Sequence, residues 1–150
     1  MSSDRGGDDG RYQATQVSDL AGLVAFVERS CTSVGAHADD ASDVRLATEE
    51  VFVNILQHGY GGRPGPVSVR IDATPARITV TLTDEAPAFD PAELPTPDLA
   101  TGGEHRALGG LGWHLVRRVM DEVRHEDVAE MGNVFTLVKE LSAGPDGPSH

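Results

Sequence analysis

Apolar and polar residues follow two periods along the chain, and each period predicts one kind of element. A spacing of three or four between apolar residues is typical of an amphipathic helix. This spacing predicts one helix over about 18–35, a second from the polar cluster 39–43 to about Gly59, and a third over about 111–121. Glycines at the ends of the first two helices are natural helix stops.

Strict alternation of apolar and polar residues predicts half-buried strands. Residues 67–71 and 78–82 alternate on either side of the turn Thr74-Pro75-Ala76, so we expect an antiparallel hairpin. Because strands come in consecutive pairs, the fold class is predicted as α+β: a two-layer sandwich with helices on one face of a mixed, mostly antiparallel sheet. Weaker strands are predicted at 11–16, 123–128 and 134–141, with a turn at Met131-Gly132-Asn133 between the last two.

One domain over 11–141 accounts for most of the 150 residues. We expect the Ser/Asp/Gly-rich lead 1–10 to be disordered and the Gly/Pro/Ser-rich tail 142–150 to be flexible. Proline and glycine recur between 86 and 110. A connection of this length inside a compact domain is typically functional or disordered.

The net charge of -12 disfavours a nucleic-acid binder, since such proteins neutralise phosphates. It does not exclude a mononucleotide, and it suits a basic protein partner as well as simple solubility. No apolar run approaches the ~20 residues of a membrane span, and the lead has no signal-peptide core. The single cysteine, Cys31, excludes an internal disulfide and indicates a reducing cytoplasm.

The second predicted helix has a row of polar residues beside its apolar face. Glu50, Asn54 and His58 are four residues apart, so a regular helix places them on successive turns. A carboxylate and a carboxamide one turn apart can take a proton and bind a divalent cation. An ordinary polar border and a hydrogen-bonded histidine explain the same residues. The apolar face, which we expect to pack on the sheet, consists of Val44, Ala47, Thr48, Val51, Phe52 and Ile55.

Two further segments have residue types that suit a nucleotide. Asp84 stands at the end of the predicted hairpin, where a carboxylate can accept a hydrogen bond from an exocyclic amine such as that of adenine. The glycine-rich segment 108–112 opens the third helix, and its uncovered N–H groups suit a phosphate. It is not a Walker A loop, because no Gly-Lys-Ser/Thr follows. A turn after a strand and a flexible hinge are the alternatives.

In this order the segments outline one nucleotide site, and the chain resembles a known family. Residues 46–60, which end in His-Gly-Tyr, resemble the N-box of anti-sigma-factor serine kinases in the GHKL (Bergerat-fold) superfamily. The resemblance covers about 11–141. It continues in the first glycine box at 84–91, the second at 109–116, and the closing segments 120–123 and 132–139.

The resemblance implies an ATP-dependent serine kinase that phosphorylates an anti-anti-sigma (STAS) protein, sequesters a sigma factor and commonly forms a homodimer. Glu50 would be the general base, Asn54 would bind Mg²⁺, and Asp84 would contact the amino group of adenine. Segment 92–108 would be the ATP lid. The other implied ATP-binding positions are His58, Ala86, Arg106, Gly109, Gly110, Leu111 and Gly112.

Ala86 departs from the family pattern, because the first glycine box usually has Asp-x-Gly where this chain has Asp84-Glu85-Ala86. A position that needs positive φ would strain an alanine. Ala86 therefore favours one alternative, an ATP-sensing or nucleotide-free anti-sigma binding module without catalysis. Two further alternatives are the catalytic half of a histidine kinase, disfavoured because no helical hairpin precedes Arg11, and an unrelated α+β domain.

Overall fold

The structure is a computed structural model that describes residues 10–87, 89, 111–127 and 131–142; at 111, 112 and 131 it describes the backbone alone. The predictions for most of the lead and tail, for the lid and for Arg106, Gly109 and Gly110 lie outside the described residues.

Five strands and three helices make up the described part of the chain. The strands are β1 (Arg11–Ala14), β2 (Val67–Ala73), β3 (Arg77–Pro87), β4 (Glu122–Asp127) and β5 (Met131–Glu140). The helices are α1 (Leu20–Ser33), α2 (Ala38–Asn54) and α3 (Leu111–Val119), with a 3-10 turn at Val17–Asp19 before α1 and a π-helical turn at Ile55–Gly59 after α2. None of the described helices is long and apolar enough to cross a bilayer.

The strands form one sheet in the order β1-β2-β3-β5-β4. All four pairings between described strands are antiparallel, so the sheet is not mixed in this part of the chain. The α+β fold class and the predicted hairpin of β2 and β3 are confirmed.

The helices cover one face of the sheet, and the core lies between the two layers. On β3, alternate residues from Ile78 to Ala86 are buried while their neighbours are more exposed. The predicted apolar face of α2 is confirmed, since all six of its residues are fully buried. The largest core side chains include Phe52 from α2 and Phe135 from β5.

Two predicted boundaries are wrong, and hydrogen bonds explain both. β1 ends at Ala14 rather than at residue 16, because the Asp19 carboxylate accepts hydrogen bonds from the backbone N–H groups of Thr15 and Gln16, at 2.7 and 3.1 Å. The predicted turn at 131–133 is the beginning of β5, where Asn133 pairs with Asp127. Gly132 has a φ of 114°, a strand conformation that only glycine adopts easily, and this explains the turn-like sequence.

Candidate functional site

The candidate site lies at the end of the sheet where β3 ends and β5 begins. Asp84 pairs with Asn133 in the ladder, and its side chain faces the helical layer with 2% of its surface exposed. Ala86, two residues on, faces the same way. A Cβ built on Gly59 would lie 3.0 Å from the Ala86 Cβ, so the π-helical turn after α2 contacts β3 beside Asp84.

Helix α3 begins at the same end of the sheet. Lys139 Nζ donates hydrogen bonds to Asp43 Oδ2 early in α2, at 2.9 Å, and to the Val119 carbonyl at the end of α3, at 2.7 Å. The two helices therefore run in opposite directions, and α3 starts near the end of α2. Trp113, in the first turn of α3, lies edge-on to Phe135 at 6.1 Å and is buried, so it packs in the core.

Asn54 is the last residue of α2 and is only 1% exposed. Neither its Nδ2 nor its Oδ1 has a hydrogen-bond partner among the described residues. A buried amide without partners is costly in free energy and rare in native proteins. Its carbonyl oxygen is a neutral, hard donor of the type that Mg²⁺ accepts. The residue therefore fits a cation site.

Asp84 has one occupied and one unoccupied carboxylate oxygen. Oδ1 accepts hydrogen bonds from the Ala86 backbone N–H at 2.8 Å and from Asn133 Nδ2 at 3.0 Å. Oδ2 is buried and has no partner among the described residues. Burial raises the pKa of Asp84, and the hydrogen bonds from Asn133 and Ala86 lower it. The free oxygen suits a ligand with an amine donor.

Glu50 lies one turn before Asn54 and is partly buried. Burial raises the pKa of Glu50, and the neighbouring charge of Glu49 raises it further. Glu49 is engaged elsewhere, with Arg45 Nε 3.6 Å from its carboxylate. A carboxylate with a raised pKa is a better proton acceptor than an exposed one.

His58 does not continue the polar row as the sequence predicted. The helix widens into a π-helical turn at Ile55, where Tyr60 N donates to Ile55 O at 2.9 Å across five residues. His58 therefore no longer follows Asn54 by one regular turn and is exposed. Its ring lies 6.4 Å from that of Phe89, and partial desolvation of the ring lowers its pKa. Such turns are frequent at functional sites.

Ala86 belongs to β3 and lies where the register between β3 and β5 shifts, between the pairs Asp84–Asn133 and Pro87–Met131. Its methyl group is fully buried and occupies the space that the missing side chain of Gly59 leaves. Leu111 and Gly112 form the first two positions of α3, where backbone N–H groups have no partner within the helix.

Two residues of this region were not predicted. Asn133 is fully buried between β3 and β4, and His125 on β4 lies against it with its Nε2 atom 2.8 Å from Asn133 Oδ1. The His125 ring stacks on Phe135 at 4.7 Å. The available signal was the alternation of Val123 and His125, which places a histidine on the inner face of a strand.

Residues 13–139 match the family model described as the histidine kinase-like ATPase domain. The chain belongs to this family.

Two curated relatives carry regulatory names. The chain is 32% identical over 98 residues to "Serine-protein kinase RsbW" of Bacillus licheniformis, a match that spans 62% of this chain and 61% of that protein. It is 22% identical over 105 residues to "Anti-sigma F factor" of Thermoanaerobacter sp. (strain X514), spanning 70% of this chain and 73% of the relative.

Two solved structures share the fold of this ATPase-domain protein. The RsbU and RsbW domains of a Mycobacterium tuberculosis protein align with a TM-score of 0.59 at 18% identity, over 87% of this chain and 32% of that one. The SiaB–SiaC complex of Pseudomonas aeruginosa aligns with a TM-score of 0.51 at 14% identity, over 86% and 88% of the two chains.

Proposed function

We propose that this chain is an ATP-dependent protein serine kinase and anti-sigma factor that phosphorylates a serine of a STAS-type antagonist. One observation carries the proposal: at the end of the sheet where α3 begins, Asn54 and Asp84 have buried polar atoms without partners among the described residues. The names of the two curated relatives, a serine-protein kinase and an anti-sigma factor, support the same activity.

In this proposal the chain binds the substrate ATP at three points. Asp84 Oδ2 accepts a hydrogen bond from the adenine amine. The first N–H groups of α3, from Leu111 and Gly112, donate to phosphate oxygens. Asn54 Oδ1 would hold Mg²⁺, which would neutralise charge on the phosphates. No group of three His, Cys, Asp or Glu side chains in the described ranges could hold a metal, so phosphate oxygens and water would complete the ligand set.

Glu50 acts as the general base of the transfer. It takes the proton from the serine hydroxyl of the antagonist as the serine oxygen bonds to the γ-phosphorus. The bond from that phosphorus to the β–γ bridging oxygen breaks, and ADP leaves. The raised pKa of Glu50 strengthens it as a base, provided that it is ionised at the working pH. His58, Arg106, Gly109 and Gly110 remain predicted ATP contacts.

The proposed partners are a STAS-type antagonist and a sigma factor, with a second copy of this chain in a homodimer. The net charge of -12 disfavours a nucleic-acid partner and suits basic patches on a protein partner. These partners follow from the relatives' names and from the family resemblance.

The test is transfer of labelled γ-phosphate from ATP to STAS proteins of the same genome, with phosphoserine as the readout. Glu50→Gln should bind Mg-ATP with unchanged affinity in calorimetry and lose transfer by at least about a hundredfold. The matched control is Glu49→Gln on the adjacent residue, which should retain transfer. Full transfer by Glu50→Gln would remove this residue from the role of base.

The second candidate is a binding module that sequesters its partner without catalysis. Its basis is Ala86: the first glycine box usually has glycine at this position, and the buried methyl group of Ala86 takes up space beside Asp84, the proposed contact for the base. No heat of binding at millimolar Mg-ATP, together with binding of a sigma factor, would support this function and exclude the kinase.

A further inference from the structure

Asn133 uses its whole side-chain amide to join three parts of the candidate site. Its Nδ2 donates to Asp84 Oδ1 at 3.0 Å and to the Pro87 carbonyl at 3.3 Å. Its Oδ1 accepts from the Phe89 backbone N–H at 3.2 Å and lies 2.8 Å from His125 Nε2. The side chain is fully buried, so water does not compete for these bonds.

The two backbone partners fix the direction of every bond in this network. The Pro87 carbonyl can only accept and the Phe89 N–H can only donate, so the amide of Asn133 has one possible orientation. Its Oδ1 therefore faces His125, and His125 Nε2 must carry a hydrogen and donate it. The hydrogen bonds run in one direction, from His125 to Asn133 and from Asn133 to Asp84.

His125 is itself held in place from several sides. Its ring stacks on Phe135 at 4.7 Å with 28° between the planes, and lies 6.1 Å from the ring of Phe89. Asp127 Oδ1 is 3.9 Å from Nε2, beyond hydrogen-bond distance. Asn133 is therefore the acceptor for this donor.

The end of the network determines which oxygen of Asp84 is available. Asn133 Nδ2 and the Ala86 N–H both donate to Oδ1, so rotation of the carboxylate is blocked, and Oδ2 has no partner within the part of the chain that the structure describes. A carboxylate held in this way presents one acceptor at a fixed position. Loss of either donor would let the carboxylate rotate and weaken its contact with a ligand amine.

We propose that His125 and Asn133 are positioning residues that orient Asp84 for a purine with an amino group at position 6. This inference rests on the proposed nucleotide site. Neither residue contacts the base in it; His125 acts through Asn133, and Asn133 acts on Asp84. The network lies in the sheet layer and is separate from Glu50 and Asn54, so it sets base recognition and leaves phosphate binding unchanged.

The experiment compares the affinities of ATP and purine riboside triphosphate, which lacks the 6-amino group, by calorimetry on the full chain. The ratio of the two affinities measures the contact with the amine alone. His125→Leu removes the donor and should reduce the ratio about tenfold, which is the typical effect of one buried hydrogen bond. His125→Gln keeps an N–H donor on a side chain of similar reach and should restore most of the ratio.

Two further variants keep the test decisive. Arg124→Gln changes an exposed residue on the opposite face of β4 and should leave the ratio unchanged. If His125→Leu does not fold, His125→Asn takes its place, because its donor is one methylene too short to reach Asn133. A merely structural role would lower the melting temperature and both affinities together, without changing their ratio.

The outcomes separate this inference from the proposed function. If the unmodified chain binds neither nucleotide, the proposed function fails and the inference fails with it. If the chain prefers ATP and His125→Leu keeps the same preference, the inference alone is overturned. A preference lost in His125→Leu and regained in His125→Gln supports it.

Discussion

Gly59 and Ala86 are in contact beside Asp84, and the methyl group of Ala86 occupies the space that a side chain at residue 59 would need. A Cβ on Gly59 would lie 3.0 Å from the Ala86 Cβ and 3.1 Å from a ring carbon of Phe89. Real Cβ atoms rarely come so close to a neighbour. The alanine that departs from the family's glycine box is thus accommodated by a glycine on the opposite element.

Gly59→Ala should lower the free energy of unfolding by about 1–3 kcal/mol, because the added methyl group overpacks this contact. Ala86→Gly in the same chain should recover part of the loss, since it removes the atom that the new methyl meets. A urea unfolding series of the two single variants and the double variant measures the coupling. Simple addition of the two effects would show that the contact is not the cause.

Asp84→Asn should change base preference more than stability. The new side chain keeps an oxygen for the two donors that bind Oδ1 and places an NH₂ group where Oδ2 was. A donor then faces the adenine amine, so we expect ATP affinity to fall by at least about tenfold. Affinity for ITP, which has a carbonyl at the same position, should rise relative to ATP. Equal losses for both nucleotides would argue against contact at position 6.

The acid side of the pH–rate profile should report Glu50. Burial and, to a smaller extent, Glu49 raise the pKa of this carboxyl. The rate of transfer should therefore rise with pH through a midpoint above the ordinary value of 4.5 and level off at higher pH. The sign follows from the role: only the ionised form accepts a proton. Glu49→Gln removes one cause of the shift and should move the midpoint to lower pH. A midpoint that stays in place would assign it to another group.

Lys139→Met should destabilise the fold by about 1–3 kcal/mol. The Lys139 ammonium group donates hydrogen bonds to Asp43 and to the Val119 carbonyl, and both acceptors lose this donor in the variant. Arg77→Met is the matched control, since its pair with Glu140 is exposed on both sides and should contribute less than about 1 kcal/mol. Chemical denaturation of both variants compares the two pairs directly, and similar losses would contradict the assignment.

The sequence pattern was sufficient for the elements whose burial is regular. The six buried residues of the predicted apolar face, five in α2 and Ile55 directly after it, and the alternation in β3 follow directly from the helical and strand periods. The pattern could not show the π-helical turn after Asn54, because that turn depends on which backbone carbonyl accepts the hydrogen bond from Tyr60 N. It also could not show that the Asp19 carboxylate would accept hydrogen bonds from the backbone N–H groups of Thr15 and Gln16, which end β1 at Ala14.

The candidate site was predicted only as far as local patterns extend. Glu50 and Asn54 were found from their spacing on one helix, and Asp84 from its place at a strand end. Asn133 was assigned to a turn because Gly132 precedes it, and its partners Asp84 and His125 lie on other strands. Long-range pairs of this kind depend on strand register, which a single sequence does not specify.

Asn54 and Asp84 have buried polar atoms that no described residue contacts by a hydrogen bond, so stability and ligand binding favour different residues at these two positions. An apolar side chain of similar size at either position has no polar group to desolvate on folding. It would therefore raise the melting temperature of the ligand-free protein and remove the ligand contact. A search for thermostable variants of this protein would therefore tend to select substitutions at residues 54 and 84 that inactivate it.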